Sequence, residues 1–189
     1  LGSGYVPPVV TTVTTPSQPP VQTTTTQQKP ADSITKMSGK VVNGVWQSNC
    51  DVSWIDTSKP MVAFTFDDGA VGTSESSTSI RIQNALTKNG FHATFFYVGG
   101  WIRNNQAEVL RAYNSGFEIG NHTQSHANLS GQSSSKVTQE IGQCKSLLNQ
   151  IIGGTGDFLV RPPYLAVDAN FSGNAGVPLI NCGIDTRDW

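Results

Sequence analysis

Two short strings hold most of the chemistry-bearing side chains of this chain: Thr65-Phe66-Asp67-Asp68-Gly69 and Asn121-His122-Thr123-Gln124-Ser125-His126. Together they contain two of its thirteen acidic residues and two of its three histidines. One carboxylate plus two imidazoles is a three-ligand set for a divalent ion, with a coordination position left open for water. The other carboxylate is then free to act as a base on that water. Asp68, His122 and His126 are thus candidate ligands and Asp67 a candidate base of a hydrolytic metal site. Taken singly, each string has a plainer reading. Asp-Gly after a strand is commonly a turn or helix cap, and two histidines can be a surface pair. Four-residue spacing nevertheless sets both imidazoles on one side of a turn, within reach of one ion. Carboxylate and imidazole suit Zn2+, with Co2+ or Ni2+ tolerated. His92, at a strand start, reads as structural.

Two further strings carry polar groups. In Arg161-Pro162-Pro163-Tyr164 a guanidinium can hold a carboxylate through two hydrogen bonds. The paired prolines fix the backbone and could leave the next amide free as an oxyanion donor. Asp185-Thr186-Arg187-Asp188-Trp189 offers two acids and an indole, either a charged loop or a carboxylate beside an apolar wall for a sugar ring.

These strings need a scaffold. Val62–Phe66 reads as a short buried strand ended by Asp-Asp-Gly. A helical face at Ile80, Ile82, Ala85 and Leu86 stops at Asn89-Gly90. His92–Val98 is β-branched and aromatic, hence a strand. Ala107, Val109, Leu110 and Tyr113 mark a helix, and Phe117–Gly120 a third strand. Val137, Ile141, Cys144, Leu147, Leu148 and Ile151 recur at helical intervals up to Gly153-Gly154. Phe158–Val160 and Pro178–Cys182 supply two more strands, and residues 40–60 a hairpin or capping segment. Strands alternating with helices imply βα units and a parallel sheet. In such folds ligands bind at the carboxyl ends of strands, and all four strings lie there.

Residues 1 to about 30 are rich in Thr, Pro, Gln and Val, with no charge before Lys29. Such a stretch has too few large apolar groups to offset the entropy of ordering it. It reads as an extended, disordered Thr/Pro linker. With Leu1 rather than Met at the start, further modules are expected upstream. The linker points to a secreted, extracellular protein. A net charge of −1 gives no electrostatic case for nucleic acid or an anionic membrane. Nor does any apolar run approach the roughly 20 residues of a membrane span. Cys50, Cys144 and Cys182 lack the spacing of a zinc or redox motif, and their redox state stays open.

In order and composition the four strings resemble the signatures of the NodB-homology polysaccharide deacetylases, carbohydrate esterase family 4. The resemblance covers about 60–189. It implies an α/β fold, a distorted, incomplete (β/α) barrel, here C-terminally truncated because the chain stops before its last elements. The expected domains are a linker over 1–39, a leader segment over 40–59 and the deacetylase domain over 60–189. By the resemblance Asp67 is the general base and Asp68, His122 and His126 hold the metal. Arg161 orients Asp67, the Tyr164 amide helps stabilise the oxyanion, and Asp188 tunes the general acid. That acid, a histidine in a Leu-x-x-His string, has no counterpart: no histidine follows His126. Members usually have Gly where Leu165 stands, so the local loop is expected to differ. The implied activity is acetyl removal from an acetylated polysaccharide, with O-acetyl xylan favoured by the linker. N-deacetylation of peptidoglycan or chitin is the alternative. A truncated, catalytically silent carbohydrate-binding module is the alternative of another class.

Overall fold

A computed structural model describes residues 39–48, 53 and 55–189. The linker expected over 1–39 falls outside the described residues except Gly39, as do Cys50, Val52 and Trp54 of the leader. The described leader is a hairpin, β1 (Gly39–Val42) antiparallel to β2 (Val45–Ser48). Asn43 and Gly44 turn it with φ of 51° and 78°, the double left-handed turn that suits the twist of a hairpin.

The rest is a parallel sheet with helices between its strands. β3 (Phe64–Phe66), β4 (Ala93–Tyr97) and β5 (Glu118–Asn121) pair in that order, all parallel. α1 (Thr78–Lys88) joins β3 to β4, and α2 (Gly99–Ile102) and α3 (Gln106–Asn114) join β4 to β5. The longest helix, α4 (Ser134–Ile152), follows β5 and packs behind it. Ser77 caps α1 and Ser133 caps α4 through their side-chain oxygens. Gly153 ends α4 at φ 68°, the conformation that favours glycine. A short α5 (Ala169–Asn174) is capped by Asp168.

Two expected strands are reduced to single bridges. Asn121 pairs with Val160, and Val160 with Leu179, both parallel. Extension is limited by proline: Pro162 and Pro163 follow closely, Pro178 precedes Leu179, and none can donate to a ladder. The strand expected over Val62–Phe66 is also shorter and more exposed. Val62 is 80% and Phe64 43% exposed, because among the described residues β3 has a neighbour on one side only. The interior strand β4 has Phe96, Tyr97 and the following Val98 buried. Two apolar clusters fix the layers. One joins Phe95, Tyr97, Val109, Ile119, Cys144, Leu148 and Phe158 across sheet and helices. The other joins Leu129, Val137, Ile141, Val160 and Phe171 beneath α5. No helix among the described residues is long and apolar enough to cross a membrane.

Candidate metal centre and active site

Asp67 and Asp68 directly follow β3, His122 follows β5 and Arg161 follows the Val160 bridge, so three strand ends on the same edge of the sheet contribute, with β4 between the first two. The ligand atoms of Asp68, His122 and His126 lie within 4.8 Å of one another. Asp68 Oδ1 stands 3.3 Å from His126 Nε2 and 3.6 Å from His122 Nε2. The turn bearing the two histidines is a loop, not a helical one. Thr123 and His126 have φ of 68° and 58°, and these left-handed residues bring the rings to 4.9 Å.

His122 is 3% exposed, and its Nδ1 donates to the Arg161 carbonyl at 2.7 Å. That bond sets the tautomer, leaving Nε2 bare and facing the carboxylates. Burial pushes the His122 pKa below its usual value, against the nearby Asp67 charge and the Arg161 bond. A neutral ring has no Nε2 proton to share with Asp68. Two acceptors then face each other, an arrangement relieved by a cation between them. The donor set thus fits a divalent metal of the zinc type.

Asp67 lies beside this triad, with Oδ2 4.0 Å from His122 Nε2. Its other oxygen accepts from Arg161 Nη1 at 2.7 Å. The same Nη1 reaches Thr65 Oγ1 at 2.8 Å, while Nε donates to the Ile180 carbonyl at 3.3 Å. The guanidinium is buried over the Phe96 ring, 4.3 Å from its centroid. Asp67 is therefore held through one carboxylate oxygen, while the other faces the His122 ring.

Tyr164 and Leu165 have φ of 58° and 54°. Leu165 thus stands in the left-handed region that favours glycine, and a tight turn forms with Leu165 N–H donating to Pro162 O at 3.0 Å. The Tyr164 N–H has no acceptor among the described residues, and its exposed ring packs 4.8 Å from that of His126. Asp188 is not brought to this cluster. It is exposed, and its carboxylate accepts from Thr186 in a loop whose other bonds run from Arg187 N–H and Trp189 Nε1 to Asp185.

Sequence reasoning missed the groups behind the loops. Glu108 of α3 is fully buried, and its Oε2 accepts from the Val71 and Gly72 amides, both at 2.8 Å. Burial pushes its pKa up, against those bonds. Glu140 of α4 is 2% exposed. Its oxygens accept from the Ser125 amide, the Ser125 hydroxyl and Lys136 Nζ, each at 2.8 Å. Burial opposes ionisation there too, but the Lys136 and Ser125 bonds outweigh it and hold the pKa below its usual value. Asn121 accepts from the Thr123 amide at 2.8 Å and donates to the Ile141 carbonyl. The available signal was an acid on the buried stripe of a helix: Glu140 lies three residues after Val137 and four before Cys144.

The profile of one family, described as polysaccharide deacetylase, matches residues 55–177. Among curated relatives, the peptidoglycan-N-acetylglucosamine deacetylase PgdA of Listeria monocytogenes is 34% identical over 131 residues, 68% of this chain and 26% of its own. A chitin deacetylase of Pestalotiopsis is 36% identical over 134 residues, 67% of this chain and 43% of its own. The chain therefore spans less than half the length of either. Among solved structures, the Xyl-CE4 domain of a multidomain xylanase from the hindgut metagenome of Trinervitermes trinervoides superposes with a TM-score of 0.57 at 29% identity. It covers 63% of this chain and 56% of that domain's chain.

Proposed function

This chain belongs to the polysaccharide deacetylase family, and from that premise we propose that it is a metal-dependent hydrolase removing O-acetyl groups from xylan. One observation carries the hydrolytic reading: Asp67 is clamped by Arg161 at 2.7 Å beside a convergent Asp68–His122–His126 triad. Those three side chains would hold the ion. When bound, it supplies Lewis acidity to the acetyl carbonyl and acidifies a water.

The remaining chemistry belongs to the chain. Asp67 takes the proton of the attacking water through the oxygen Arg161 leaves free. Arg161 keeps that carboxylate in one orientation, so its lone pair is aimed before substrate arrives. The His122 ring is held by the Arg161 carbonyl, so its Nε2 stays available as a ligand. The Tyr164 amide donates to the developing oxyanion, where one such donor contributes roughly 3–4 kcal/mol. An alcohol leaves more readily than an amine, so an ester depends less on a general acid. The O-acetyl reading is favoured by the Thr/Pro composition of 1–39 and by the multidomain xylanase neighbour.

Relatives acting on peptidoglycan and chitin keep N-deacetylation as the second reading. A catalytically silent carbohydrate-binding module is the third. The Thr/Pro composition of 1–39 and the multidomain xylanase neighbour support a secreted, multi-module enzyme. In it 1–39 is a linker, 40–59 a leader and 60–189 the catalytic domain. The sequence-ordered parallel sheet is read as part of an incomplete (β/α) barrel. Asp188 is read, through the family resemblance alone, as tuning a general acid that His92, His122 and His126 do not supply, and no nucleic-acid or membrane partner is proposed.

The test is metal content together with acetate release from acetylated xylan, N-acetyl chitooligosaccharides and peptidoglycan, with Asp67→Ala as control. Xylan is expected to be the best substrate, and the variant to lose about 10²-fold or more. Unchanged release in Asp67→Ala would sink the assigned base, and faster release from an amide substrate would reassign the bond cleaved. Metal binding without acetate from any of the three would leave the silent module.

A further inference from the structure

Each loop that presents the metal ligands is strained and is held by a buried acid from the helix behind it. Asp68 has φ 76°, Thr123 68° and His126 58°, and such residues cost of order 1–3 kcal/mol each unless their surroundings fix them. For the first loop the surroundings are side chains on Gly69–Gly72. Glu108 takes the Val71 and Gly72 amides at 2.8 Å. Asn105 Nδ2 donates to the Ala70 carbonyl, and Ser77 Oγ to the Gly72 carbonyl, both at 3.0 Å. For the second loop Glu140 takes both the amide and the hydroxyl of Ser125, the residue before His126. The Gly99 and Gly100 amides donate to the Thr123 and Gln124 carbonyls at 3.0 and 2.7 Å. Neither glutamate touches the ligand atoms, yet each takes backbone protons within four residues of one. Hydrogen bonds to a charged acceptor are among the stronger ones, and a buried acid on an apolar helix face is otherwise unfavourable.

We propose that Glu108 and Glu140 are positioning residues of the metal centre, Glu108 fixing the Asp68 loop and Glu140 the His122–His126 loop, so that the protein binds its cation in a preformed cradle. The inference rests on reading Asp68, His122 and His126 as the ligand set.

The test measures cation affinity of the metal-free protein, by competition for Zn2+ against a chromophoric chelator and by the absorption spectrum of the Co2+ form. Glu140→Ala and Glu108→Ala are expected to weaken Zn2+ binding about 10- to 100-fold, the range for groups that orient metal ligands, and to alter the Co2+ spectrum. Glu140→Gln and Glu108→Gln keep one acceptor oxygen and should fall between parent and Ala, which also covers an Ala variant that does not fold. Ile152→Ala is the control for general destabilisation: it removes a buried side chain at the last residue of α4, twelve residues beyond Glu140, and should leave affinity within about twofold, a change well under 1 kcal/mol. Parent-like affinity in the folded Glu variants would overturn the inference while leaving the ligand set standing. So would a loss in Ile152→Ala equal to theirs. A parent protein that binds neither Zn2+ nor Co2+ would remove the ligand set and, with it, the inference.

Discussion

Replacing Arg161 separates the base from the metal. The Arg161 side chain bonds Asp67, Thr65 and Ile180 and covers Phe96, whereas its backbone carbonyl accepts from His122. Arg161→Met removes the first set and keeps the second. Asp67 is 35% exposed, so it regains water when its partner goes, and the loss stays well short of that for a fully buried pair. Adding the Thr65 and Ile180 bonds and the cation–π contact, the expected loss of stability is about 2–3 kcal/mol. The rate should fall further than stability implies. A carboxylate free to rotate loses its aim, and misplacement of a reacting group by about an ångström costs on the order of 10²-fold. Arg161→Lys keeps a charge but cannot bridge the same acceptors with one ammonium, so its rate should resemble that of Met more than the parent. The assays are acetate release at saturating metal, Zn2+ affinity by chelator competition and denaturant unfolding. Zn2+ affinity within about threefold of parent, under 1 kcal/mol, is expected for both variants. A parent-like rate in Arg161→Met would refute the reasoning, as would a loss of Zn2+ affinity matching the loss of rate.

Three other perturbations test the surroundings. A Cβ at Gly120 would run into the Phe96 ring that supports Arg161, so Gly120→Ala should lose about 1–3 kcal/mol and slow acetate release; parent-like unfolding would mean the ring moves aside freely. Leu165→Gly relieves a left-handed residue at roughly 1–2 kcal/mol, offset by about 0.5–1 kcal/mol of added chain entropy. Urea unfolding should show it neutral to slightly stabilising, and a loss above about 2 kcal/mol would count against stored strain. Burial pushes the Glu118 carboxyl above its usual 4.5, with the Thr94 hydroxyl opposing, and its Oε1 has no partner among the described residues. A carboxyl raised on folding contributes fully below 4.5, and that stability is lost as pH rises through the folded value. Glu118→Gln should therefore raise the melting temperature at pH 7, with the gain shrinking toward pH 4.5; a lower melting temperature at pH 7 would contradict it.

The candidate site was legible where chemistry coincides with a short string. Asp67, Asp68, His122, His126 and Arg161 were singled out as residue types placed after strands, and the fold brings their side chains together. Helix periodicity was equally readable: α1, α3 and α4 lie where the apolar intervals placed them, because burial of one face repeats with the helix turn. Strand extent was not. Apolar runs such as Val62–Phe66 and Phe158–Val160 do not reveal how many neighbours a strand has, and neighbours decide both burial and ladder length. What Glu108 and Glu140 do was hidden for a different reason. Their role lies in accepting backbone protons from loops 36 and 15 residues away, and backbone donors carry no residue identity. Asp188 shows the converse, a motif residue whose described surroundings are its own loop.

The bonds that hold Asp67 also give the site an order of assembly. Glu140 meets Ser125 across 15 residues, while Arg161 meets Asp67 across 94 and Thr65 across 96. Closing the longer span costs about 1.6 kcal/mol more in chain entropy, and contacts of high sequence separation slow folding. The imidazole loop can therefore settle as a local unit of β5 and α4, whereas the base clamp waits until the Val160 segment docks beside β5. The backbone of the histidine loop can form first, whereas the His122 ring, held by the Arg161 carbonyl across 39 residues, and the aimed Asp67 both wait for that docking. Protection of the Ser125 amide in a refolding chain then precedes recovery of turnover.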